Sequence, residues 1–175
     1  MPVKRVTTHF PAWLRKSIPP VSTRFTEDIL REYAVNTVCV SARCPNRSEC
    51  FAQRTATFLI LGDVCTRNCA FCAISHGRPR KTDDSEPGNV GKASAALQLT
   101  HTVITSVTRD DLHDGGASHY ASTVRSVQKY NPDSVCEVLV PDFQGDPGAL
   151  ETVCKSGIHV FNHNIETIPA LYGKI

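Results

Sequence analysis

From residue 57 onward, apolar and polar positions alternate in blocks whose period switches between that of a strand and that of a helix. The unbroken apolar run Phe58-Leu59-Ile60-Leu61 predicts a buried strand. Residues 89–100 place Val90, Ala93, Ala96 and Leu97 on one helical face. Residues 103–107 read as a second strand. Residues 118–130 read as a helix with Tyr120, Val124 and Val127 on one side, closed by Asn131-Pro132. A third strand covers 135–140 and stops at Pro141. A helix over 148–156 ends at Gly157, a good C-terminal stop. A fourth strand covers 158–162, and Thr167 opens a further helix. Strand and helix in strict alternation with short connections predict about four parallel strands joined by helical crossovers, an α/β architecture. The polar and glycine-rich segments 65–72, 108–116, 141–145 and 162–166 all follow strands. They should therefore share the C-terminal edge of the sheet, the working edge of such folds.

The first third reads differently. Pro2, Pro11, Pro19 and Pro20 mark residues 1–21 as an extended arm, with Trp13-Leu14 as an apolar anchor against the main body. Thr26 is placed to cap a short helix over residues 27–34. Its apolar residues Ile29, Leu30 and Tyr33 share a face, with Phe25 beside them. Residues 37–51 read as a compact polar loop turned by Pro45-Asn46. A natural division is therefore 1–54, an arm and cysteine-rich segment, and 55–175, the alternating part.

Composition narrows the class. Hydrophobic residues make up 41% of the 175, enough for a packed core. The formal charge of +2, without long runs of one sign, argues against a nucleic-acid-binding tail. No apolar stretch approaches the roughly 18 residues of a membrane span. The basic N-terminus is followed by no apolar segment of a secretory signal and has no clear transit-peptide character. The expected location is cytoplasmic, or mitochondrial in a eukaryote.

Eight cysteines alter the picture more than the charge does. Six form two clusters: Cys39-x4-Cys44-x5-Cys50 and Cys65-x3-Cys69-x2-Cys72. In a chain with helix and strand patterns along most of its length, clustered thiols are better read as metal ligands than as a disulfide framework. Three thiolates on one short loop can hold three corners of a 4Fe–4S cluster, leaving one iron open for chemistry. For the first cluster zinc is the alternative, although three cysteines without a fourth soft ligand fit it poorly. Cys136 and Cys154 stand apart and read as small core residues. Gly115-Gly116 is either a ligand-binding turn or an ordinary Asp-Gly-Gly turn. Asn162, His163, Asn164 and Glu166 gather at the end of the fourth strand, on the face that should carry a site. Arg67, Arg109 and Asp110 are either contacts to a carboxylate, a ribose or a carrier protein, or solvated surface, which is the reading favoured for each alone. His9, His76, His101, His113, His119 and His159 show no metal-like spacing.

The array Cys65-x3-Cys69-x-Phe71-Cys72, with an aromatic before its last cysteine, resembles the signature of radical S-adenosylmethionine (radical SAM) enzymes. The whole chain resembles the lipoyl synthase family. The residues that carry this are Pro11-Ala12-Trp13-Leu14-Arg15, Cys44-Pro45-Asn46, Thr55-Ala56-Thr57-Phe58 and Asp63-Val64-Cys65-Thr66-Arg67. To these are added Thr105-Ser106-Val107-Thr108-Arg109-Asp110-Asp111-Leu112, Asp114-Gly115-Gly116, Val138-Leu139-Val140-Pro141-Asp142-Phe143 and Phe161-Asn162-His163-Asn164-Ile165-Glu166-Thr167. The upstream cysteine array is what narrows the superfamily to this family.

The resemblance implies a partial TIM-type (β/α) barrel of the radical SAM kind with a cysteine-rich N-terminal extension. It implies that Cys65, Cys69 and Cys72 bind a 4Fe–4S cluster that chelates and reductively cleaves S-adenosylmethionine. Phe71, Gly115, Gly116, Asn162, Asn164 and Glu166 would then be cofactor contacts. Cys39, Cys44 and Cys50 would hold an auxiliary, sulfur-donating 4Fe–4S cluster. The reaction would place sulfur at C6 and C8 of an octanoyl chain on a lipoyl carrier protein, with an electron donor such as ferredoxin or flavodoxin, and with neither nucleic acid nor membrane as partner. Phe51 stands where the family usually has tryptophan, and His113 where it has proline. The family's Arg-Ser-Ser-Tyr segment, source of a serine ligand, does not occur in these residues. With about four strands, too few to close a barrel, the expectation is a chain cut short of its relatives. A non-catalytic metal-binding module, or another sulfur inserter such as a biotin synthase, is the alternative.

Overall fold

The computed structural model describes Pro11 and residues 23–174. The predicted arm and its Trp13-Leu14 anchor lie outside the described residues. The elements are helix α1 (Arg24–Glu32), strand β1 (Asn36–Thr37), helices α2 (Val38–Ser41) and α3 (Arg47–Ala52), and strands β2 (Thr57–Ile60), β3 (Val64–Cys65) and β4 (Ser75–His76). Helix α4 (Glu86–Ala96), strand β5 (His101–Ser106), helix α5 (Ala117–Tyr130) and strand β6 (Val135–Leu139) follow. Helix α6 (Pro147–Cys154) and strand β7 (Val160–Asn162) complete the regular part.

The main sheet runs β1-β2-β5-β6-β7, with β2, β5, β6 and β7 parallel and β1 antiparallel at the edge. The four parallel strands are the four expected. Their spatial order follows the chain order without reversal, as in a barrel wall and unlike a doubly wound sheet. Helix α4 packs on α5, and α5 on α6. β2 is buried along Phe58, Leu59 and Ile60, which explains its unbroken apolar run. β6 alternates burial instead, with Cys136 and Val138 inward. Burial of each large side chain here contributes about 1.5–3 kcal/mol.

Helix boundaries differ from expectation where polar chemistry sets them. Thr26 does not cap α1: it is buried one turn inside and donates its hydroxyl to the Phe51 carbonyl at 2.7 Å, while Thr23 holds the cap position. Residues 37–51 are not a polar loop. They form α2 and α3, and Cys39 is buried in the core. α4 starts earlier than predicted because Pro87 suits a first helical turn, and it stops earlier because Gln98 adopts φ 57°. The helix expected from Thr167 is a 3₁₀ segment (Pro169–Lys174). Pro169 restrains Ile168 from the α region.

Cys136 is fully buried as expected, but Cys154 is exposed at the end of α6. None of the eight cysteines is in a disulfide.

β7 pairs only with β6, so among the described residues its other edge has no partner. Phe161, Ile165, Ile168, Leu171 and Tyr172 are exposed on and beyond it. An unpaired edge flanked by apolar side chains is a template for association. Light scattering on the purified chain should show concentration-dependent self-association. A monodisperse monomer at high concentration would contradict this.

Candidate functional site

The chain leaves the sheet for the cysteine loop at Leu61. This residue adopts φ 67°, a region that a branched side chain occupies only when neighbours hold it there. Both of its backbone groups are held. The Leu61 N–H donates to Glu86 Oε2 at 2.7 Å, and the Leu61 carbonyl accepts from Arg109 Nη1 at 3.1 Å. Arg109 Nη2 also reaches the Arg80 carbonyl at 3.1 Å, on the far side of the loop. One buried guanidinium therefore ties both ends of residues 62–80, and Asp111 engages it at 2.8 Å. Arg109 had read as solvated surface; its side chain is 3% exposed.

Within the loop, β3 and β4 pair in parallel, Val64 with Ser75 and Cys65 with His76. The Gly77 N–H closes the base on the Cys65 carbonyl. Thr66 donates its backbone N–H to the Thr108 carbonyl at 3.0 Å. Arg67 engages Asp110 through Nε and Nη2 and Asp142 through Nη1 and Nη2, at 2.7–2.8 Å. Gln144 adds an amide hydrogen bond to Asp110 at 3.0 Å. Hydrogen bonds from Arg67 hold the Asp110 carboxyl below the usual carboxylate range and bring Asp142 down to about 2. Arg67 and Asp110 lie at the surface, as expected, but are paired with each other rather than solvated singly.

The expected convergence of four segments holds. A cavity of about 650 Å³ is lined by Cys65, Cys69 and Cys72, by the ends of β5 and β6, and by His163, Asn164 and Glu166 beyond β7. Phe71 lies on its wall and is itself exposed. Gly115, Gly116 and Asn162 are not on this wall. Gly115 and Gly116 take positive φ at the entry to α5, where a Cβ on Gly116 would lie 2.4 Å from Leu61 Cδ1. The geometry of the ordinary turn accounts for them. Asn162 donates to Glu137 Oε1 at 2.6 Å. Three of the histidines assigned nothing do structural work: His119 pairs with Glu86 and His101 with Glu137, and His159 accepts from the Cys136 N–H.

Sequence reading missed the strand-end residues Thr105, Ser106 and Thr108, which face the same cavity wall. Among the described residues Ser106 Oγ is the buried side-chain oxygen without a hydrogen-bond partner. Such a group in a cavity wall suits a polar ligand. A polar Thr-Ser pair at the end of an apolar strand was the available signal.

The donor set fits a polynuclear cluster. Burial, and then the neighbouring charges of Cys65 and Cys72, push the Cys69 thiol above its usual range. The Arg67 N–H donates to Cys65 Sγ at 3.4 Å. Among the described residues no three His, Cys, Asp or Glu side chains group closely enough for a bare metal ion. Three thiolates on one short loop with an open side match the mode in which cysteines hold iron–sulfur clusters. In the first array the Cys44 N–H donates to the Cys39 carbonyl, and Cys50 follows one turn into α3. These two cysteines are thus tied through the backbone.

No family model matches the chain. Curated relatives do. A lipoyl synthase of Caldanaerobacter subterraneus subsp. tengcongensis is 50% identical over 170 residues, which cover 97% of this chain and 60% of the relative. One of Oleidesulfovibrio alaskensis is 54% identical over 166 residues, covering 94% and 57%. One of Leptothrix cholodnii is 49% identical over 178 residues, covering 98% and 54%. The chain spans somewhat more than half the length of these relatives. Its sequence is similar to those of lipoyl synthases along almost all of its own length.

Proposed function

We propose that this chain carries the radical-generating part of a lipoyl synthase site, in which sulfur is inserted at C6 and C8 of an octanoyl chain on a lipoyl carrier protein. The observation that carries this reading is the cavity where Cys65, Cys69 and Cys72 meet the ends of β5 and β6 and the residues beyond β7. Cys65, Cys69 and Cys72 would hold one 4Fe–4S cluster, and Cys39, Cys44 and Cys50 three corners of an auxiliary one. When bound, the first cluster with S-adenosylmethionine supplies hydrogen abstraction from unactivated carbon, which no acid–base group can perform.

The chain's own residues bind, orient and shield. Asn164, Glu166 and Ser106 offer polar contacts to a zwitterionic ligand. Phe71 and Ile74 give the wall apolar surface, and the strand ends close its floor. Gly115, Gly116 and Asn162 keep the structural roles described above. Division at residue 54 separates the two cysteine arrays. Reduced thiols and the need for a ferredoxin- or flavodoxin-type donor suit a cytoplasmic compartment. No helix among the described residues is long and apolar enough to cross a membrane.

Anaerobic reconstitution with iron and sulfide should give about eight irons per chain. Replacing the three cysteines of either array by alanine should remove about half of them. S-adenosylmethionine should change the electron paramagnetic resonance of the Cys65-Cys69-Cys72 cluster and leave the other unchanged. Stoichiometric zinc without acid-labile sulfide, the signature of a non-catalytic module, would overturn the reading. So would iron that no S-adenosylmethionine perturbs.

A further inference from the structure

Arg67 sits inside the cysteine loop, between Cys65 and Cys69, yet its guanidinium is spent entirely on two carboxylates from elsewhere. Asp110 follows β5 and Asp142 follows β6, 43 and 75 residues away in sequence. The guanidinium offers one edge to each, with two hydrogen bonds per carboxylate at 2.7–2.8 Å. The Gln144 side chain donates to Asp110, and the Gln144 N–H donates to Asp142 Oδ1. Thr66 adds its own bond to the Thr108 carbonyl. Three loops over three neighbouring strands are thus stitched at one point. The backbone N–H of the same arginine reaches Cys65 Sγ.

The arrangement has a geometric requirement that lysine cannot meet. Only a planar fork can bracket two carboxylates with parallel bonds at once. Arg67, Asp110 and Asp142 are each partly exposed, so a single pair here would contribute little. The bidentate network gains from geometry instead, since loosening either side releases a whole loop.

We propose that Arg67 is a positioning residue: by bracketing Asp110 and Asp142 it orders the Cys65–Cys72 loop over the strand ends before any cluster is bound. This rests on the cluster reading above, and the two can fail separately.

The test uses the full chain without metal and hydrogen–deuterium exchange read by peptide. In Arg67→Ala, amides of residues 63–78 and 141–145 should exchange about ten-fold faster, with the β2, β5 and β6 amides unchanged. Asp142→Asn should loosen the same two segments and keep the Arg67–Asp110 side. Arg67→Lys should restore less than half of the lost protection. After loading with iron and sulfide, release of iron to a chelator from the Cys65-Cys69-Cys72 site should quicken by a similar factor in Arg67→Ala. Unchanged exchange in both Arg67→Ala and Asp142→Asn would overturn the proposal, as would full rescue by lysine. If the wild-type chain took up no iron while the exchange result held, the cluster reading would fall and the bracket would stand.

Discussion

Exchanging Arg109 for methionine should cost the folded chain about 3 kcal/mol. The stem of the side chain survives this change, so little apolar packing is lost. What goes is a fork that satisfies the Leu61 carbonyl, the Arg80 carbonyl and Asp111 together. Arg80 and Asp111 are exposed and can turn to water. Leu61 cannot: it is buried and held at a left-handed φ. Leaving its carbonyl without a donor costs about 1–3 kcal/mol, and the strain at that residue then loses one of its two restraints.

For a chain of this size the thermal midpoint should fall by roughly 6–12 °C. The acid limb should change as well. The Arg109 hydrogen bond holds the Asp111 carboxyl below the usual range. A depressed carboxylate stabilises above its ordinary pKa and loses that contribution as pH falls through the folded value. The wild-type chain should therefore lose stability over that range, and Arg109→Met should show a shallower loss. A midpoint within about 2 °C of wild type would contradict this account.

Arg109 also marks where sequence reading stops. The parallel strands were legible because burial on both faces demands apolar runs, as in Phe58-Leu59-Ile60. The shared strand-end edge followed from chain order alone. By contrast β1, β3 and β4 are two residues each, too short for any periodicity, and exist because distant partners offer backbone hydrogen bonds. Arg67, Arg109 and Asp110 looked like surface charges because their partners lie as much as 75 residues away. The six clustered cysteines were legible by spacing. Which polar neighbours face the same cavity was not, since Asn162 ends β7 and bonds Glu137 whereas Asn164 lies beyond the strand and lines the cavity. Cys154 misled for a related reason: a small residue in a helix gives no sign of which face it occupies.

Gly91 separates intrinsic preference from packing most sharply. It lies mid-helix in α4, where alanine is intrinsically favoured by about 1 kcal/mol, so propensity alone predicts that Gly91→Ala stabilises. The contact with α5 predicts the reverse. A Cβ at position 91 would stand 2.6 Å from the Ser126 carbonyl oxygen, 2.7 Å from its Oγ and 2.8 Å from its carbonyl carbon. The Oγ can rotate away; the backbone atoms move only if the helices part. Separation of α4 from α5 would disturb Val90 and Ala93 on one side and Val124 and Val127 on the other, all buried. Overpacking of this kind costs about 1–3 kcal/mol, which exceeds the propensity gain. Gly91→Ala should therefore destabilise by about 1–2 kcal/mol, and Gly91→Val, with two more methyl groups and little helical gain, by about 3 kcal/mol. Chemical denaturation of the two variants settles the sign. Stabilisation by alanine would mean that the helices have room to part, and that glycine is not what sets their close approach.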